Sequence, residues 1–382
     1  MEFADPEVFG LLVWQGIDRD KPPLIFAFTL VPFNETKTRM SGSSSLPEIR
    51  ERPVLRLDAK VTATNESEEI RFSAAAPVIA RQTMKIALFH NPSAGERALD
   101  GNQLIRLFAE AAHDVLYVPT QQDGWESVFR NPVDQAVIAG GDGTVSRLAP
   151  WLAARKIPFC ILPLGTANNC AKTLGQTHPA EVLAANLHSA AVRKVDLGMV
   201  TMPSGQQVFI ESVGIGLLAQ LMTEMRAREK KKNSRAILTP AERLFGAIKH
   251  LRSLAKDYPE SMCELVLGDD ILTGNFLLLE VANMGLIGPN LNLIPNVDPS
   301  DGAFEVVWVG VDQRAEFRDY LKLLQDGVEL TPPIHTTRCR QVLLRQADAP
   351  THVDSKIFPT TPTPMVVHNQ PGALELLVIS NQ

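Results

Sequence analysis

Two short glycine-containing segments decide the fold, AGGDGT at residues 139–144 and LPLGTANN at residues 162–169. Each follows an apolar run that is typical of a buried strand, and each is followed by a helical pattern. A strand, a glycine turn and a helix in succession direct backbone N–H groups at phosphate in parallel α/β sheets. Glycine suits such turns because it adopts positive φ angles and has no Cβ to block a ligand. The segments therefore predict an α/β domain that binds phosphate.

The first segment also contains a carboxylate, Asp142. It cannot itself hold a phosphate, because like charges repel, and it suits a metal ion, an ordered water or a hydroxyl instead. A third glycine-containing run, NPSAG at residues 91–95, follows another apolar stretch. The GxxxxGK(S/T) pattern is absent from the chain, and GxGxxG is absent from the Gly140 turn. Together these features indicate a nucleotide that is bound with its metal.

The order and spacing of the three segments resemble those of the diacylglycerol kinase catalytic family, which includes bacterial lipid kinases and sphingosine kinases. Residues 91–95, 140–144 and 162–175 are similar to three motifs of that family, and the likeness runs from about Met84 to the C-terminus. The resemblance implies an α/β fold with an N-terminal parallel sheet that has helices on both faces, as in NAD kinases and diacylglycerol kinases. It also implies a C-terminal, mostly antiparallel β-sandwich domain that faces the lipid.

We predict three regions along the chain. Residues 1–83 are Ser-rich in part and contain scattered prolines, which indicates a poorly structured N-terminal extension or a mispredicted start. Residues 84–194 alternate strands with helices and form the nucleotide-binding α/β domain. Residues 195–382 contain mainly strands, interrupted by predicted helices at 217–228 and 240–256, and form the β-rich lipid-substrate domain.

Composition limits the classes of protein and partner. The chain has 382 residues, 45% of them hydrophobic, which is enough for two domains with ordinary cores. Its net charge of −6 gives no reason to expect a nucleic-acid partner. The four cysteines fit neither a metal motif nor a disulfide framework, which favours reduced thiols in the cytoplasm. No segment approaches the roughly 20 apolar residues of a membrane span. Nothing in the sequence indicates an oligomeric state.

The resemblance implies which residues bind the nucleotide and the metal, with Asp142 as the residue on which catalysis depends most. The implied nucleotide-binding residues are Asn91, Thr120, Gly140, Gly141, Asp142, Gly143, Thr144, Val145, Ser146, Gly165, Thr166 and Asn168. Asp301 matches an Asp-Gly element of the family's second domain that holds Mg²⁺. Backbone oxygens near Asp298 and Ala303 are the further implied ligands, and oxygen ligands suit this hard cation.

One segment departs from the family pattern, VDSK at residues 353–356. The family has an Asp-Gly-Glu element here, whose Glu accepts the proton of the lipid hydroxyl, whereas this chain has Lys356 in place of that acid. A lysine with its ordinary pKa of about 10.4 is protonated and cannot act as a base. Asp354 is then the candidate base, unless the register is shifted or catalysis is lost. Glu211 also departs, since the family favours Asn at that position.

The sequence thus predicts an ATP- and Mg²⁺-dependent lipid kinase that transfers the γ-phosphoryl group to a hydroxyl of a diacylglycerol-like or sphingoid lipid. One alternative is a nucleotide-binding pseudokinase without phosphotransfer, which Lys356 keeps open, and another is a NAD kinase, which also has a GGDG turn. The basic run at residues 226–235 follows an apolar helical pattern. It is interpreted either as a solvated helix end or as a peripheral contact with the inner membrane surface.

Overall fold

The computed structural model describes part of the chain, and its described residues are 11–14, 24–27 and 83–379 apart from 96–98, 131, 232–237, 348 and 361. The chain divides into two compact units, Met1–Gln82 and Thr83–Gln382. In the first unit, strand β1 (Leu11–Trp14) pairs antiparallel with strand β2 (Leu24–Ala27). Most of the predicted extension lies outside the described residues, so its interpretation stays a prediction.

The second unit begins with strands that alternate with helices, as the sequence predicts. The strands are β3 (Lys85–His90), β4 (Asp114–Pro119), β5 (Gln135–Gly140) and β6 (Phe159–Pro163). The helices are α1 (Gly101–Glu110), α2 (Asp142–Arg155), α3 (Asn169–Thr173) and α4 (Ala180–Asn186), with 3₁₀ helices at Trp125–Arg130 and Leu187–Ser189. The four strands lie parallel in the order β4-β3-β5-β6.

Helices cover both faces of this parallel sheet. Ala87 and Phe89 of β3 belong to a core that includes residues of α2 and α3, whereas Ile86 and Leu88 belong to a core with α1 and α4. All four side chains are fully buried. A strand buried on both faces is apolar throughout rather than alternating, which explains why this one appears as a continuous apolar run. The predicted N-terminal sheet is confirmed.

The C-terminal half is mainly antiparallel, as predicted. Its strands are β7 (Ala191–Met202), β8 (Gly205–Phe209), β9 (Ser212–Gly216), β10 (Ser261–Leu267), β11 (Asp270–Ala282), β12 (Leu286–Ile287), β13 (Leu291–Asn292), β14 (Phe304–Gly310), β15 (His335–Cys339), β16 (Gln341–Ala347), β17 (Thr351–Val353), β18 (Lys356–Phe358) and β19 (Met365–Val378). Its helices are α5 (Leu217–Lys231), α6 (Pro240–Asp257) and α7 (Arg314–Gln325), with a 3₁₀ helix at Val311–Gln313. Antiparallel neighbours run in the order β18-β17-β9-β11-β10-β16-β19.

Helix α7 is a correction to the sequence-based assignment, which contained only the helices at 217–228 and 240–256 in this half. Phe317 and Leu321 of α7 are fully buried in a core that also contains residues of α5 and α6. Asp319 between them is exposed, whereas Tyr320 is buried in the same core, so the helical period was present in the sequence. Few apolar positions mark its buried face, so the sequence-based assignment did not include it.

The apolar face of α5 packs inside the protein. Leu217, Leu218 and Leu221 are at most 4% exposed and belong to the core shared with α6 and α7. These buried leucines are therefore not available to a membrane, and the peripheral contact stays a prediction. Among the residues that the structure describes, no helix combines the length and the apolar composition needed to cross a membrane.

Strand β19 joins the two halves of the sheet. It pairs with β7 along most of its length, its first part also pairs with β16, and its last part pairs in parallel with β6, where Leu376 lies opposite Phe159. Leu374 and Leu376 belong to the core of the N-terminal sheet, whereas Met365 belongs to a core of the C-terminal strands. The chain's last strand thus completes its first sheet, and the predicted boundary at 194–195, which falls within β7, stays a prediction.

The buried carboxylate of Asp196, on β7, connects that strand to two turns. Its Oδ2 accepts a hydrogen bond from the Gly302 amide at 2.7 Å, and its Oδ1 accepts one from the Gly372 amide at 2.8 Å. The Asp196 amide donates to the carbonyl of Pro299 at 2.8 Å. Asp196 is 0% exposed, so these hydrogen bonds replace the water that a carboxylate otherwise requires.

Replacing Asp196 by alanine tests this connection. We expect the free energy of unfolding to fall by about 3 kcal/mol, because two amides in the interior lose their acceptor at roughly 1–3 kcal/mol each. Urea unfolding followed by circular dichroism measures the change. Asp319→Ala, at an exposed position on α7, is the matched control and should stay within about 0.5 kcal/mol of the parent chain. Equal losses in the two variants would contradict the assigned role.

Candidate functional site

The three glycine-containing segments meet at the carboxyl ends of β3, β5 and β6. An ideal Cβ on Gly165 would lie 2.4 Å from the Cα of Gly141, and one on Gly95 would lie 2.1 Å from the carbonyl oxygen of Leu164. No side chain can occupy such a space, so the turns pack backbone against backbone. This packing holds the three segments in a fixed relation at one edge of the sheet, where parallel α/β sheets bind ligands.

In chain order, the glycine segments are residues 91–95, 139–144 and 162–169, and Asn91 ties the first of them to the second. Its Nδ2 donates to Oγ1 of Thr144 at 3.1 Å, and its amide donates to the carbonyl of Ala139 at 2.9 Å. Its Oδ1 accepts from the Ser93 amide at 3.2 Å and from Nε2 of Gln121 at 3.4 Å. Asn91 therefore orients both turns, and its implied contact with the nucleotide stays a prediction.

The second segment begins helix α2 and leaves some of its amides available. The amides of Thr144 and Val145 both donate to the carbonyl of Gly141, at 2.8 and 3.1 Å. The amides of Asp142 and Gly143 precede the first helical hydrogen bond and point outward from the helix N-terminus, as phosphate-binding amides do. Val145 is 1% exposed, so its side chain belongs to the core and cannot line a nucleotide pocket.

The side chains of Ser146 and Asn168 close the second and third segments locally. Oγ of Ser146 donates to the carbonyl of Gly143 at 3.3 Å. Asn168 has a φ of 53°. Its side-chain Oδ1 accepts a hydrogen bond from the Gly165 amide at 2.8 Å, and its Nδ2 donates to the Gly165 carbonyl at 3.0 Å. Asn168 thereby shapes the turn that contains Thr166. Their implied nucleotide contacts stay predictions.

Thr120 lies at the end of β4 and is 1% exposed. Its amide donates to the carbonyl of His90 at 2.8 Å, and its own carbonyl accepts from Nη2 of Arg147 at 2.7 Å. Among the described residues its buried Oγ1 has no hydrogen-bond partner, and its implied nucleotide contact stays a prediction. Arg147, which also lies 5.8 Å above the ring of Trp125, was not among the predicted site residues.

A half-buried pair of carboxylates, Asp142 and Glu211, lies beside the glycine turns and the buried Cys170. Oδ1 of Asp142 accepts a hydrogen bond from the Cys170 amide at 3.0 Å. One carboxylate oxygen of Asp142, one of Glu211 and the sulfur of Cys170 lie within 4.8 Å of one another. Burial, with the charges of Asp142 and Asp354, raises the pKa of Glu211 well above its usual value. Two carboxylates this close share a proton or attract a cation, and only the latter lets both ionise.

Glu211 was recognised in the sequence only as a departure from the family pattern, and the fold explains its place. Nδ2 of Asn169 donates to Oε1 of Glu211 at 2.8 Å and to the carbonyl of Gly288 at 2.9 Å. Asn169 is the last residue of the glycine segment at residues 162–169, whereas Glu211 lies between β8 and β9. Only the packing of the two halves brings these positions together, so no spacing in the sequence could predict the pair.

Asp354 holds the segment that contains Glu211. Its Oδ2 accepts from the Ile210 amide at 2.9 Å, and its Oδ1 accepts from the amides of Glu211 and Ser212 at 2.8 and 3.2 Å. Burial raises the pKa of Asp354 to about 6, although these hydrogen bonds act in the opposite direction. The carboxylate is therefore oriented by the backbone, and its predicted role as base stays a prediction.

Lys356, the residue that replaces the family's acid, lies on the surface. Its Nζ donates to Oε1 of Gln207 at 3.1 Å and lies 5.2 Å from the ring centre of Phe358. Its neighbour Ser355 is the residue that approaches the nucleotide turn, since an ideal Cβ on Gly143 would lie 4.0 Å from the Cβ of Ser355. The turn between β17 and β18 thus faces the glycine segments through Ser355, with the lysine directed elsewhere.

The predicted metal residues lie in a turn that precedes β14, beside a groove of about 350 Å³. Oδ1 of Asp301 accepts from the Ala303 amide at 3.0 Å, and Oδ2 contacts the guanidinium of Arg338. Asp298 forms an ion pair with Arg193 at 3.2 Å. In the part of the chain that the structure describes, no hydrogen bond links this turn directly to Asp142 or Glu211.

Comparisons with known families agree with this geometry. The model of the diacylglycerol kinase catalytic domain matches residues 85–200, and the model of the YegS C-terminal NAD kinase beta sandwich-like domain matches residues 222–378. The chain belongs to the diacylglycerol kinase catalytic-domain family. The first match contains all three glycine segments, and the second contains Asp301 and Asp354.

Individual relatives have low sequence identity to this chain. A protein of Mycobacterium tuberculosis (strain H37Rv) named diacylglycerol kinase is 25% identical over 280 residues, which cover 72% of this chain and 85% of that protein. A YegS-like protein of Pseudomonas putida is 31% identical over 173 residues, or 44% of this chain and 54% of that protein. A crystal structure of a diacylglycerol kinase from Bacillus anthracis superposes with a TM-score of 0.56 and 20% sequence identity. The superposed region covers 77% of this chain and 97% of that protein, so the two have the same fold.

Replacing Gly165 by alanine tests the packing of the glycine turns. The added Cβ would overlap the backbone of Gly141, so we expect a loss of about 2 kcal/mol in unfolding free energy and at least a tenfold loss of ATP affinity. Urea unfolding and titration calorimetry measure the two effects. Gly246→Ala is the control, because its Cβ would meet open space on α6 and should raise helix stability slightly. Similar ATP affinities in both variants would rule out the proposed packing constraint.

Proposed function

We propose that this protein is an ATP- and Mg²⁺-dependent lipid kinase that transfers the γ-phosphoryl group to a hydroxyl of a diacylglycerol-like or sphingoid lipid. The observation that supports it most is the backbone packing of the three family segments beside the Asp142–Glu211 carboxylate cluster. Phosphoryl transfer requires positioning and charge neutralisation more than covalent chemistry, and this arrangement offers both. Family membership and the name of the mycobacterial relative support the same class of reaction.

Each part of the cluster has a role in this proposal. The amides of Asp142 and Gly143 would bind phosphate at the N-terminus of α2, and the buried hydroxyl of Thr120 would bond the nucleotide. The carboxylate oxygens of Asp142 and Glu211 suit a hard cation, whereas the thiol of Cys170 does not. Mg²⁺ that enters with ATP would neutralise charge on the phosphates.

The proton of the acceptor hydroxyl requires a base, and Asp354 is the proposed one. Its pKa of about 6 makes it ionised at neutral pH, and its three backbone hydrogen bonds orient it. The same hydrogen bonds favour the second candidate function, a pseudokinase that binds nucleotide without transfer, because both oxygens are already engaged. The NAD kinase alternative has support only at the level of fold.

A lipid acceptor implies work at a membrane surface. Since the apolar face of α5 is buried, we propose that a peripheral contact of this cytoplasmic protein would use the basic end of that helix, by attraction to anionic lipid. Nucleic acid has no place in the proposal, because the net charge is −6.

The function is tested by transfer of labelled γ-phosphate from ATP to a panel of lipids and to NAD, using the full chain with and without Mg²⁺. We expect labelled lipid from a diacylglycerol or sphingoid member of the panel. Asp142→Asn should reduce transfer by about a hundredfold or more, because a carboxylate that would hold Mg²⁺ beside the phosphates is lost. Asp319→Ala, at an exposed position on α7, is the control and should keep the activity of the parent chain. ATP binding by calorimetry without any labelled product would instead establish the pseudokinase, and labelled NAD would establish the third alternative.

The role of Asp354 is tested by the pH dependence of kcat/KM. Because the base acts when ionised, we expect kcat/KM to rise as the pH increases through about 6 and to level off above it. Asp354→Asn should lower kcat/KM and remove this rise, whereas Lys356→Ala, two residues along the same hairpin and exposed, should keep it. A rise that persists in Asp354→Asn would assign the base to another group.

A further inference from the structure

Strand pairing brings a basic side chain to the turn that was predicted to bind Mg²⁺. Strands β14 and β15 pair antiparallel with Glu305 directly opposite Arg338. Nε of Arg338 lies 3.6 Å from a carboxylate oxygen of Glu305, and the guanidinium also contacts Oδ2 of Asp301. The hydrogen bond and charge of Asp301, followed by the charge of Glu305, raise the pKa of Arg338 above its already high value. The guanidinium therefore bridges two acids as a permanent cation.

Both carboxylate oxygens of Asp301, the leading predicted metal ligand, are already engaged. Oδ1 of Asp301 accepts a hydrogen bond from the Ala303 amide at 3.0 Å, and Oδ2 contacts the guanidinium of Arg338. Oδ1 of Asp298 accepts from the Ser300 amide at 3.1 Å and from Arg193 at 3.2 Å. Three carboxylates thus share two guanidinium groups. A divalent ion at Asp301 would have to displace Arg338 or lie beside a like charge.

The turn is also held from its other side without a metal. The buried carboxylate of Asp196 accepts from the Gly302 amide at 2.7 Å, and its own amide donates to the carbonyl of Pro299 at 2.8 Å. Gly302 has a φ of 77°, a conformation that glycine adopts readily. Asp196 hydrogen-bonds one side of the turn and Arg338 pairs with the other, so the turn does not need a bound ion to keep its conformation.

We infer that Arg338 takes the place of a metal ion in this chain, so that a guanidinium rather than Mg²⁺ neutralises the Asp301 turn. The residues at Asp298, Asp301 and Ala303 do not fit Mg²⁺ in this arrangement. Among the described residues, the Asp142–Glu211 cluster is then the place for a divalent ion that accompanies the nucleotide, and the Asp301 turn folds without metal.

The first experiment measures Mn²⁺ bound to the full chain without nucleotide, by loss of the free-ion signal in electron paramagnetic resonance. We expect the parent chain and Asp301→Asn to bind the same amount, since Asp301 holds no ion; more Mn²⁺ on the parent chain overturns the inference. Arg338→Ala frees the carboxylates and should bind one additional ion that Asp301→Asn removes in the double variant. An Arg338→Ala chain that gains no ion shows that the guanidinium is not what excludes the metal.

The second experiment measures thermal unfolding in EDTA and in Mg²⁺. The parent chain should unfold at the same temperature in both, within about 1 °C, and Arg338→Ala should unfold about 3 °C lower in EDTA. Arg338→Lys, which keeps the charge, should lose less than the alanine variant. A parent chain that Mg²⁺ stabilises only while Asp301 is present contradicts the inference. None of these measurements requires phosphotransfer, so they stand apart from the kinase assay.

Discussion

The contact between two backbone turns, at Gly141 and Gly165, is the constraint on which the site depends. With an ideal Cβ on Gly165 only 2.4 Å from the Cα of Gly141, the turns after β5 and β6 approach more closely than any side chain permits. That approach fixes where α2 and α3 begin. It therefore also fixes Asp142 at the first turn of α2 and Cys170 in the first turn of α3, which are linked by a hydrogen bond of 3.0 Å.

Buried carboxylates fix the segments of the second half that lie beside this contact. Asp354 accepts three amides of the segment at Ile210 to Ser212 and so directs Glu211 at Asp142, while Asp196 ties β7 to the turns at Gly302 and Gly372. A buried carboxylate is costly unless its oxygens are bonded, so each one specifies a single arrangement of the backbone around it. The second half of the chain is thereby positioned to complete a site that begins in the first.

Two acidic clusters, one at Asp142 and Glu211 and the other at Asp301, differ in whether basic side chains pair with their carboxylates. Around Asp142 and Glu211, acids lie close together and no arginine or lysine pairs with them among the described contacts, an arrangement that suits a cation brought by a nucleotide. Around Asp301, arginines pair with the acids. Both places read alike in the sequence, as an aspartate beside glycine in a turn before a regular element. Only the neighbours supplied by other strands distinguish them.

The sequence alone determined the alternating α/β half, the strand-rich second half and the glycine segments that carry the family, because these features depend on residues near one another in the chain. Helix α7 is local as well, but its two fully buried apolar positions were too few to distinguish it from a loop. The tertiary structure decided the return of β19 to the first sheet, the pairing of Glu211 with Asp142 and the place of Arg338 beside Asp301. Each of these joins residues far apart in the chain, and such contacts follow from packing and strand register rather than from any local pattern.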